Sequence, residues 1–370
     1  MHIGIDASRA TAARRTGTEH YARRLIDALL AAGGDSATRG EHSYTLYFRD
    51  PPPAGDFPGA ELRVIPFPRL WTHLRLSFEL ITRPRPDVLF VPAHVLPLAH
   101  PLPSVVTVHD LGYRYFPDMH PGGQRRYLDW STRFSARSAT HVIGDSAATQ
   151  RDLAHFYGVP AAKVSVVYPG RDERLSWVDP APVRARYNLG PDYLLHVGTL
   201  QPRKNLSRLI EAAASLRREW PRVQLVLAGQ PGWQAGPILE QARAHADFVR
   251  LLDYVPADDL AGLYSGARAF VFPSLYEGFG FPVLEAMACG TPVVCANTSS
   301  LPEVAGDAAL LVDPLDTGAL AGAIGRVLGD GSLRASLAAK GLEQVKKFSW
   351  QRAAKETLEV LEAVGAGLSP

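Results

Sequence analysis

The chain has 370 residues, 46% of them hydrophobic, and a formal net charge of +2. That length exceeds the size at which single cores stop growing, so two domains are expected, and so small a net charge excludes bulk electrostatic attraction to nucleic acid. The charge is uneven, however: residues 1–170 carry 19 Lys+Arg against 15 Asp+Glu and the remainder 20 against 22, so the first half suits the more anionic or lipid-associated partner. Only two cysteines occur, Cys289 and Cys295, too few for a disulfide framework or a metal site, and they read as buried filler in a reducing compartment. Residues 1–6 turn polar too soon for a signal peptide, and no apolar run approaches the ~18 residues of a membrane span. A cytoplasmic enzyme is the expectation.

Short apolar runs alternate with amphipathic stretches along the whole chain, the pattern of βα units around parallel sheets. Strands are predicted at 2–6, 44–48, 62–65, 88–91, 105–109, 141–144 and 164–168. A second set follows at 193–197, 224–228, 249–252, 269–272, 293–296 and 310–312. Aliphatic and β-branched residues fill most of them, as in strands covered on both faces. A Pro-, Gly- and charge-rich stretch between Pro169 and Pro191 marks the domain boundary. Neither half has Gly-x-Gly-x-x-Gly after its first strand, which argues against a nicotinamide dehydrogenase.

In chain order, Arg15-Thr16-Gly17-Thr18-Glu19 follows the first strand and opens a helix. Gly17 there allows close approach of a ligand to backbone. Residues 50–55 form a surface loop. The run 69–80 reads as a helix with an aromatic and basic side, and 113–137 mixes Tyr, Phe, Trp and Arg; such stripes are either core plus a solvated face or an interfacial surface that meets anionic lipid. His94 and His109 stand near strand carboxyl ends, where ligands bind in such sheets. His109 can hydrogen-bond a sugar hydroxyl or act as base, with Asp110 either its orienting partner or a helix cap.

The strand at 193–197 runs into Gly198-Thr199-Leu200-Gln201-Pro202-Arg203-Lys204-Asn205 and then a helix, with Asn205 as its N-cap. Lys204 is the only lysine between Lys163 and Lys340 in an arginine-rich chain, which suggests that a compact ammonium is wanted. Arg203 and Lys204 can take up charge on a departing diphosphate without a metal. After the strand at 269–272 come Glu277-Gly278-Phe279-Gly280 and a helix with Pro282 in its first turn, Glu285 one turn in, and Gly290 past its end. The Gly-Phe-Gly turn aims amides at an anion while Glu277 and Glu285 offer acceptors to hydroxyls, a cradle for a phosphorylated sugar.

These residues resemble the retaining glycosyltransferases of family 4, the glycosyl transferases group 1 domain, nearest bacterial mannosyltransferase-like members. The likeness covers nearly the whole chain. It is most specific from Glu277 to Glu285 and from Gly198 to Asn205; Gly17, His109 with Asp110, the run 142–146 and Val167-Tyr168-Pro169-Gly170 fit less specifically. The resemblance implies the GT-B fold: two doubly wound parallel-sheet α/β domains, Rossmann-like, facing across a deep cleft. Residues 1–170 would bind the acceptor and 171–349 the nucleotide-sugar donor, and the C-terminal helix, within 350–370, would cross back to the first domain. It implies an NDP-sugar donor, GDP-mannose favoured and a UDP-sugar as the other option, with no metal and no further cofactor, and a glycan or lipid-linked acceptor.

On this likeness, Arg203 and Lys204 grip the diphosphate beside Gly198 and Thr199, and Glu285 binds the ribose. Glu277 with the amides of Phe279 and Gly280 holds the sugar, Gly278 belongs to the same donor-binding turn, and the base rests near Tyr254 and Val255. Gly17 lies on the phosphate and acceptor side and His109 near the reacting sugar. Many relatives carry Gly-Arg where this chain has Gly198-Thr199, so that arginine is either absent here or replaced by Arg203. The alternatives are a nucleotide-sugar epimerase of the same fold and a catalytically silent glycan- or nucleotide-binding protein.

Overall fold

The computed structural model describes residues 1–11, 17–32, 42–119 and 122–370. Arg15 and Thr16 of the first helix-opening loop lie outside the described residues. The chain divides into two compact units. Unit 1 is Met1–Tyr115, Gly122–Gly170 and Phe348–Pro370, and unit 2 is Arg171–Lys347 with Phe116–Pro121.

Unit 1 holds β1 (His2–Asp6), β2 (Ser43–Phe48), β3 (Glu61–Val64), β4 (Val88–Val91), β5 (Ser104–Val108), β6 (His141–Gly144) and β7 (Val164–Val166), all parallel, in the order β3-β2-β1-β4-β5-β6-β7. Unit 2 holds β8 (Tyr193–Val197), β9 (Gln224–Ala228), β10 (Val249–Leu252), β11 (Ala269–Phe272), β12 (Val293–Ala296) and β13 (Ala309–Val312), in the order β10-β9-β8-β11-β12-β13. Every strand read from the sequence is present, with ends shifted by one or two residues. His109 and Tyr168 fall just past their strands because the last ladder bonds close at Val108 and Val166. In each sheet the order reverses once, between β1 and β4 and between β8 and β11, and crevices outside the carboxyl ends of the strands open at such points.

Strand–helix packing follows from composition. Central strands such as β4, β5, β11 and β12 are buried at every residue, so both faces must be covered by helices. The helix Leu206–Leu216 supplies such a cover, turning Leu206, Leu209, Ile210, Ala212 and Ala213 into the core under β8 and β9. In unit 1 the last helix, Trp350–Gly365, packs on the first, Gly17–Ala32. Its Ser349 accepts the Arg352 amide as N-cap. Among the described residues no helix is long and apolar enough to cross a membrane.

The helix expected at 69–80 runs from Trp71 to Thr82, a π-helical turn Trp71–Leu76 continued by the α-helix Ser77–Thr82. Trp71 is buried and donates its ring N–H to the Ile65 carbonyl at 2.7 Å, so this aromatic ring serves the core. The helix at residues 206–216 corrects one expectation. Asn205 stands at its N-cap in the left-handed region, yet the side chain does not cap. Its amide instead donates to the carbonyls of Pro273 at 3.1 Å and Pro314 at 2.6 Å. Two buried carbonyls at the ends of β11 and β13 need a donor, and that demand outweighs a helix amide close to solvent.

The ends of β8 and β9 meet with no room for a side chain. Gly229 follows β9 at φ +149°, and a Cβ there would lie 2.1 Å from the Gly198 carbonyl oxygen. Gly229→Ala therefore combines backbone strain with overpacking and should cost about 3 kcal/mol of stability. A urea midpoint unchanged from wild type would refute this.

Candidate functional site

Unit 2 gathers its polar chemistry at the crevice between β8 and β11. After β8, Pro202–Lys204 makes one 3₁₀ turn that presents two neighbouring cations. After β11, residues 273–280 cross above the sheet and end at Gly280, the N-cap of the helix Phe281–Ala288. Backbone ties the two segments together: the Leu275 amide donates to the Arg203 carbonyl at 2.9 Å. The Arg203 guanidinium in turn donates to the Tyr276 carbonyl.

The centre of the crevice is a charge cluster. One oxygen of Glu277 lies 2.9 Å from Arg203 Nη1 and the other 2.5 Å from Lys204 Nζ. Glu277 and Lys204 are both buried. Burial by itself would raise the Glu277 carboxyl, but Arg203 and Lys204 overcome it and hold the group at about 2. Lys204 Nζ also sits 4.8 Å from the centre of the Phe272 ring, a cation–π contact. Beneath it His196 is fully buried, its Nδ1 donating to the Val271 carbonyl at 3.1 Å, and burial followed by Lys204 pushes it down to about 3. This neutral ring adds no charge to the cluster.

The expectation that Glu277 stands open to hydroxyls needs correction. Both of its oxygens are engaged by cations, because a buried carboxylate beside two positive side chains lowers its energy by pairing. The turn itself is braced from a loop that the motif did not include. The Glu277 amide donates to Ser299 Oγ at 2.9 Å, and Ser300 Oγ donates to the carbonyls of Glu277 and Phe279 at 2.9 and 2.6 Å. Carbonyls are thereby turned inward while, among the described residues, the amides of Gly278 and Gly280 donate no hydrogen bond. Gly280 has φ +120°, and a Cβ there would meet Leu301 at 2.9 Å. A tight turn with outward amides beside two cations can hold a polyanion.

Glu285 lies in the same helix, partly buried, and its Oε2 accepts the Tyr264 hydroxyl at 2.7 Å. Burial raises its carboxyl, the Tyr264 bond lowers it and Asp172 raises it further. Tyr264 gave no signal in the sequence, since it lies 21 residues upstream on the far side of β11. Tyr254 and Val255 follow β10; Tyr254 is 69% exposed and Val255 buried. Gly198 bends at φ +150° after β8, and Thr199 is exposed beside it. Cys289 and Cys295 are free and buried, each thiol pushed up to about 12 by burial.

Unit 1 has its own crevice residues. Gly17 begins the first helix, and a Cβ on it would touch nothing within 4 Å. His109 Nδ1 lies 2.7 Å from Asp145 at the end of β6. Burial opposes charge on this imidazole, but Asp145 raises it above its ordinary value. Asp110 is not the partner: its carboxylate accepts the Gly112 amide at 2.8 Å and starts a short helix. His94 is drawn down to about 4 by burial and by His109. At the switch point between β1 and β4 opens a pocket of about 860 Å³, with Asp6, Arg9, Glu19 and Arg49 among its polar walls.

Two family models divide the chain. Glycosyltransferase Family 4 matches residues 15–175 and Glycosyl transferases group 1 matches residues 182–344. Over 262 residues the chain is 38% identical to O-antigen chain mannosyltransferase B of Escherichia coli, covering 69% of each protein. It is 31% identical over 298 residues to glycogen synthase of Mycobacterium tuberculosis, covering 76% of this chain and 70% of the relative. Among solved structures, sucrose-phosphate synthase of Thermosynechococcus elongatus superposes with a TM-score of 0.77 at 24% identity over 99% of both chains. HepE of Anabaena, solved with UDP and glucose, gives 0.72 at 20% identity over 98% of this chain and 99% of its own. The fold is GT-B.

The depressed Glu277 carboxyl makes stability depend on pH. Its folded value near 2 lies below the ordinary 4.5, so its contribution is complete above about 4.5 and is lost as pH falls toward 2. Urea midpoints measured from pH 7 to pH 2 should fall more steeply for wild type than for Glu277→Gln below pH 4.5. Parallel profiles would contradict the ion pairing.

Proposed function

The chain belongs to the glycosyl transferases group 1 family, and we propose that this glycosyltransferase moves a hexose, with retention, from an NDP-sugar to a hydroxyl of a growing glycan or glycolipid. The observation that carries the reading is the Arg203–Glu277–Lys204 cluster at the switch point of unit 2, with Glu277 and Lys204 buried and Arg203 reaching solvent. Two cations share one carboxylate, which leaves a net positive charge beside a turn of outward amides. A diphosphate competes with Glu277 for both cations. The carboxylate, partly released, then accepts hydroxyls of the sugar that the diphosphate carries. Glu285, oriented by Tyr264, takes the ribose hydroxyls with its other oxygen. Tyr254 and Val255 border the base.

In the transfer, the bond between the anomeric carbon and the diphosphate oxygen breaks and its electron pair leaves with the phosphate. Arg203, Lys204 and the amides of the turn meet that charge where it develops, already oriented. The acceptor oxygen bonds the anomeric carbon on the face the phosphate left, and its proton passes to the leaving phosphate oxygen. Charge stabilisation by two side-chain cations supports a metal-independent reaction.

Mannose and GDP are favoured by the likeness to O-antigen chain mannosyltransferase B, and the same likeness favours polysaccharide assembly as the setting. Unit 1, with the polar pocket between β1 and β4, is assigned the acceptor. Two free, buried cysteines fit action in the cytoplasm.

Thermal shifts with GDP, UDP, ADP and TDP and their sugars, each with and without chelator, test the donor. GDP and GDP-mannose should stabilise by about 2.7 kcal/mol at ~100 times their dissociation constants, unchanged by chelator. No shift with any nucleotide would remove the donor assignment, and a shift abolished by chelator would remove metal independence. Lys204→Ala should lower turnover about 10²- to 10³-fold, whereas Glu285→Ala should chiefly weaken donor binding. Near-normal turnover of the lysine variant, or an inverted anomeric centre in the product, would overturn the corresponding step.

A further inference from the structure

One side of unit 1 exposes large apolar side chains that have no place on an ordinary solvated helix. Leu70, Leu74, Phe78 and Ile81 are 55%, 46%, 60% and 50% exposed. Leu74, Phe78 and Ile81 recur at steps of four and three along a single helical run, with Leu70 at its N-cap, so they form one stripe. Trp71, His73, Leu76 and Leu80 occupy the other side and are buried. The stripe widens at both flanks. Phe67 precedes it, and Leu98 lies beside it, its amide donating to the His73 carbonyl at 3.3 Å. Tyr127 and Trp130, both well exposed, are anchored next to it through His73, at 3.0 Å from its Nε2 and 5.4 Å between ring centres. Isolated surface leucines call for no explanation, but a contiguous face of this kind marks an interaction surface.

Charge identifies the partner. Between residues 65 and 86 the chain has four arginines, Arg69, Arg75, Arg83 and Arg85, and one acid, Glu79. Glu79 is buried and paired with Arg75 at 2.9 Å and Arg63 at 3.5 Å. Between residues 65 and 86 the exposed face is therefore apolar along its middle and cationic at both ends, and its one carboxylate is buried. A second copy on this face would bring arginines against arginines with no counter-charge. A bilayer rich in acidic phospholipid offers both an apolar interior and phosphates at the rim.

We propose that this face docks on an anionic phospholipid surface. The helical run lies in the interface plane with Leu74 and Phe78 in the acyl boundary, Trp130 and Tyr127 at headgroup depth, and Arg69, Arg83 and Arg85 on lipid phosphates. Leu70 and Tyr127 also line the pocket of about 860 Å³ at the β1–β4 switch point. Docking thus sets the rim of that pocket against the lipid surface. Resting on the transferase reading, this places the hydroxyl of a lipid-linked saccharide within reach of Asp6, Arg9 and Arg49.

Co-sedimentation of the full chain with vesicles tests the docking without donor or acceptor, so its outcome is independent of the transferase reading. Vesicles of phosphatidylglycerol and phosphatidylcholine should capture wild type, with salt weakening capture and pure phosphatidylcholine binding at least about tenfold less. Leu74→Glu with Phe78→Glu should lose at least about tenfold while its circular dichroism and ligand-free thermal midpoint match wild type. Arg69→Gln with Arg83→Gln and Arg85→Gln should lose the preference for phosphatidylglycerol. Failure of wild type to bind, or equal binding by the double variant, would overturn the proposal. So would a wild-type dimer that the double variant dissociates, which would make a second copy the occupant.

Discussion

A buried carboxylate and ammonium joined by a partly exposed guanidinium set the terms for the rest of unit 2. Neither buried ion tolerates its place alone, since an unpaired ion there loses its hydration without return. Together the three leave one net positive charge, a state stable enough to wait and unsatisfied enough to receive an anion. The condition is strict in geometry. Arg203 and Lys204 come from the end of β8 and Glu277 from the end of β11, so the strands must be neighbours, and they are. A sheet reverses its order only once in this fold, and that is the place where two such loops diverge and leave room between them.

Much of the surrounding chemistry exists to keep that cluster in register. Asn205 leaves its helix uncapped in order to join the ends of β11 and β13, while Ser299 and Ser300 reach from the end of β12 to hold the turn at Glu277. Glycines at 198, 229 and 280 let backbone pass where a Cβ would collide or where φ is positive. His196, Phe270 and Phe272 supply an uncharged floor, with the His196 and Phe272 rings stacked at 5.4 Å. An uncharged floor matters, because another cation below Lys204 would push it away and another acid would draw it down from the ligand. Positional precision here comes from neighbours two and three strands apart, the arrangement expected of a site that must not reorganise when charge develops.

The sheets were legible because doubly covered parallel strands leave continuous apolar runs that no other element imitates at that length. The turn at residues 277–280 was legible because Gly, Pro and Glu stand there in an order with few other physical uses. Partnerships were harder to read. Asp110 adjoins His109 in sequence, yet Asp145, just past the neighbouring strand β6, is the residue that pairs with it, because the ends of paired strands lie side by side although 36 positions apart. Tyr264 and Glu285, 21 residues apart, meet because their two helices pack together, which no local pattern reports. Asn205 misled because its residue type fits a cap and nothing local reports the two carbonyls that claim it.

The run at residues 69–80 shows the limit from the other side. Periodicity separates its two faces, but both are apolar, and a sequence has no means of saying which one the core covers. Packing assigns Trp71 and His73 to the interior and leaves Leu70, Leu74, Phe78 and Ile81 outside. The charge asymmetry then acquires a location. The first 170 residues exceed neutrality by four positive charges, and the stretch 65–86, four arginines against one glutamate, accounts for three of them. A surplus spread evenly would be weak at every point of the surface. Concentrated around an exposed apolar stripe, it adds long-range attraction to the one face that short-range forces also favour bringing out of water, and the two effects then orient the unit rather than merely hold it near a surface.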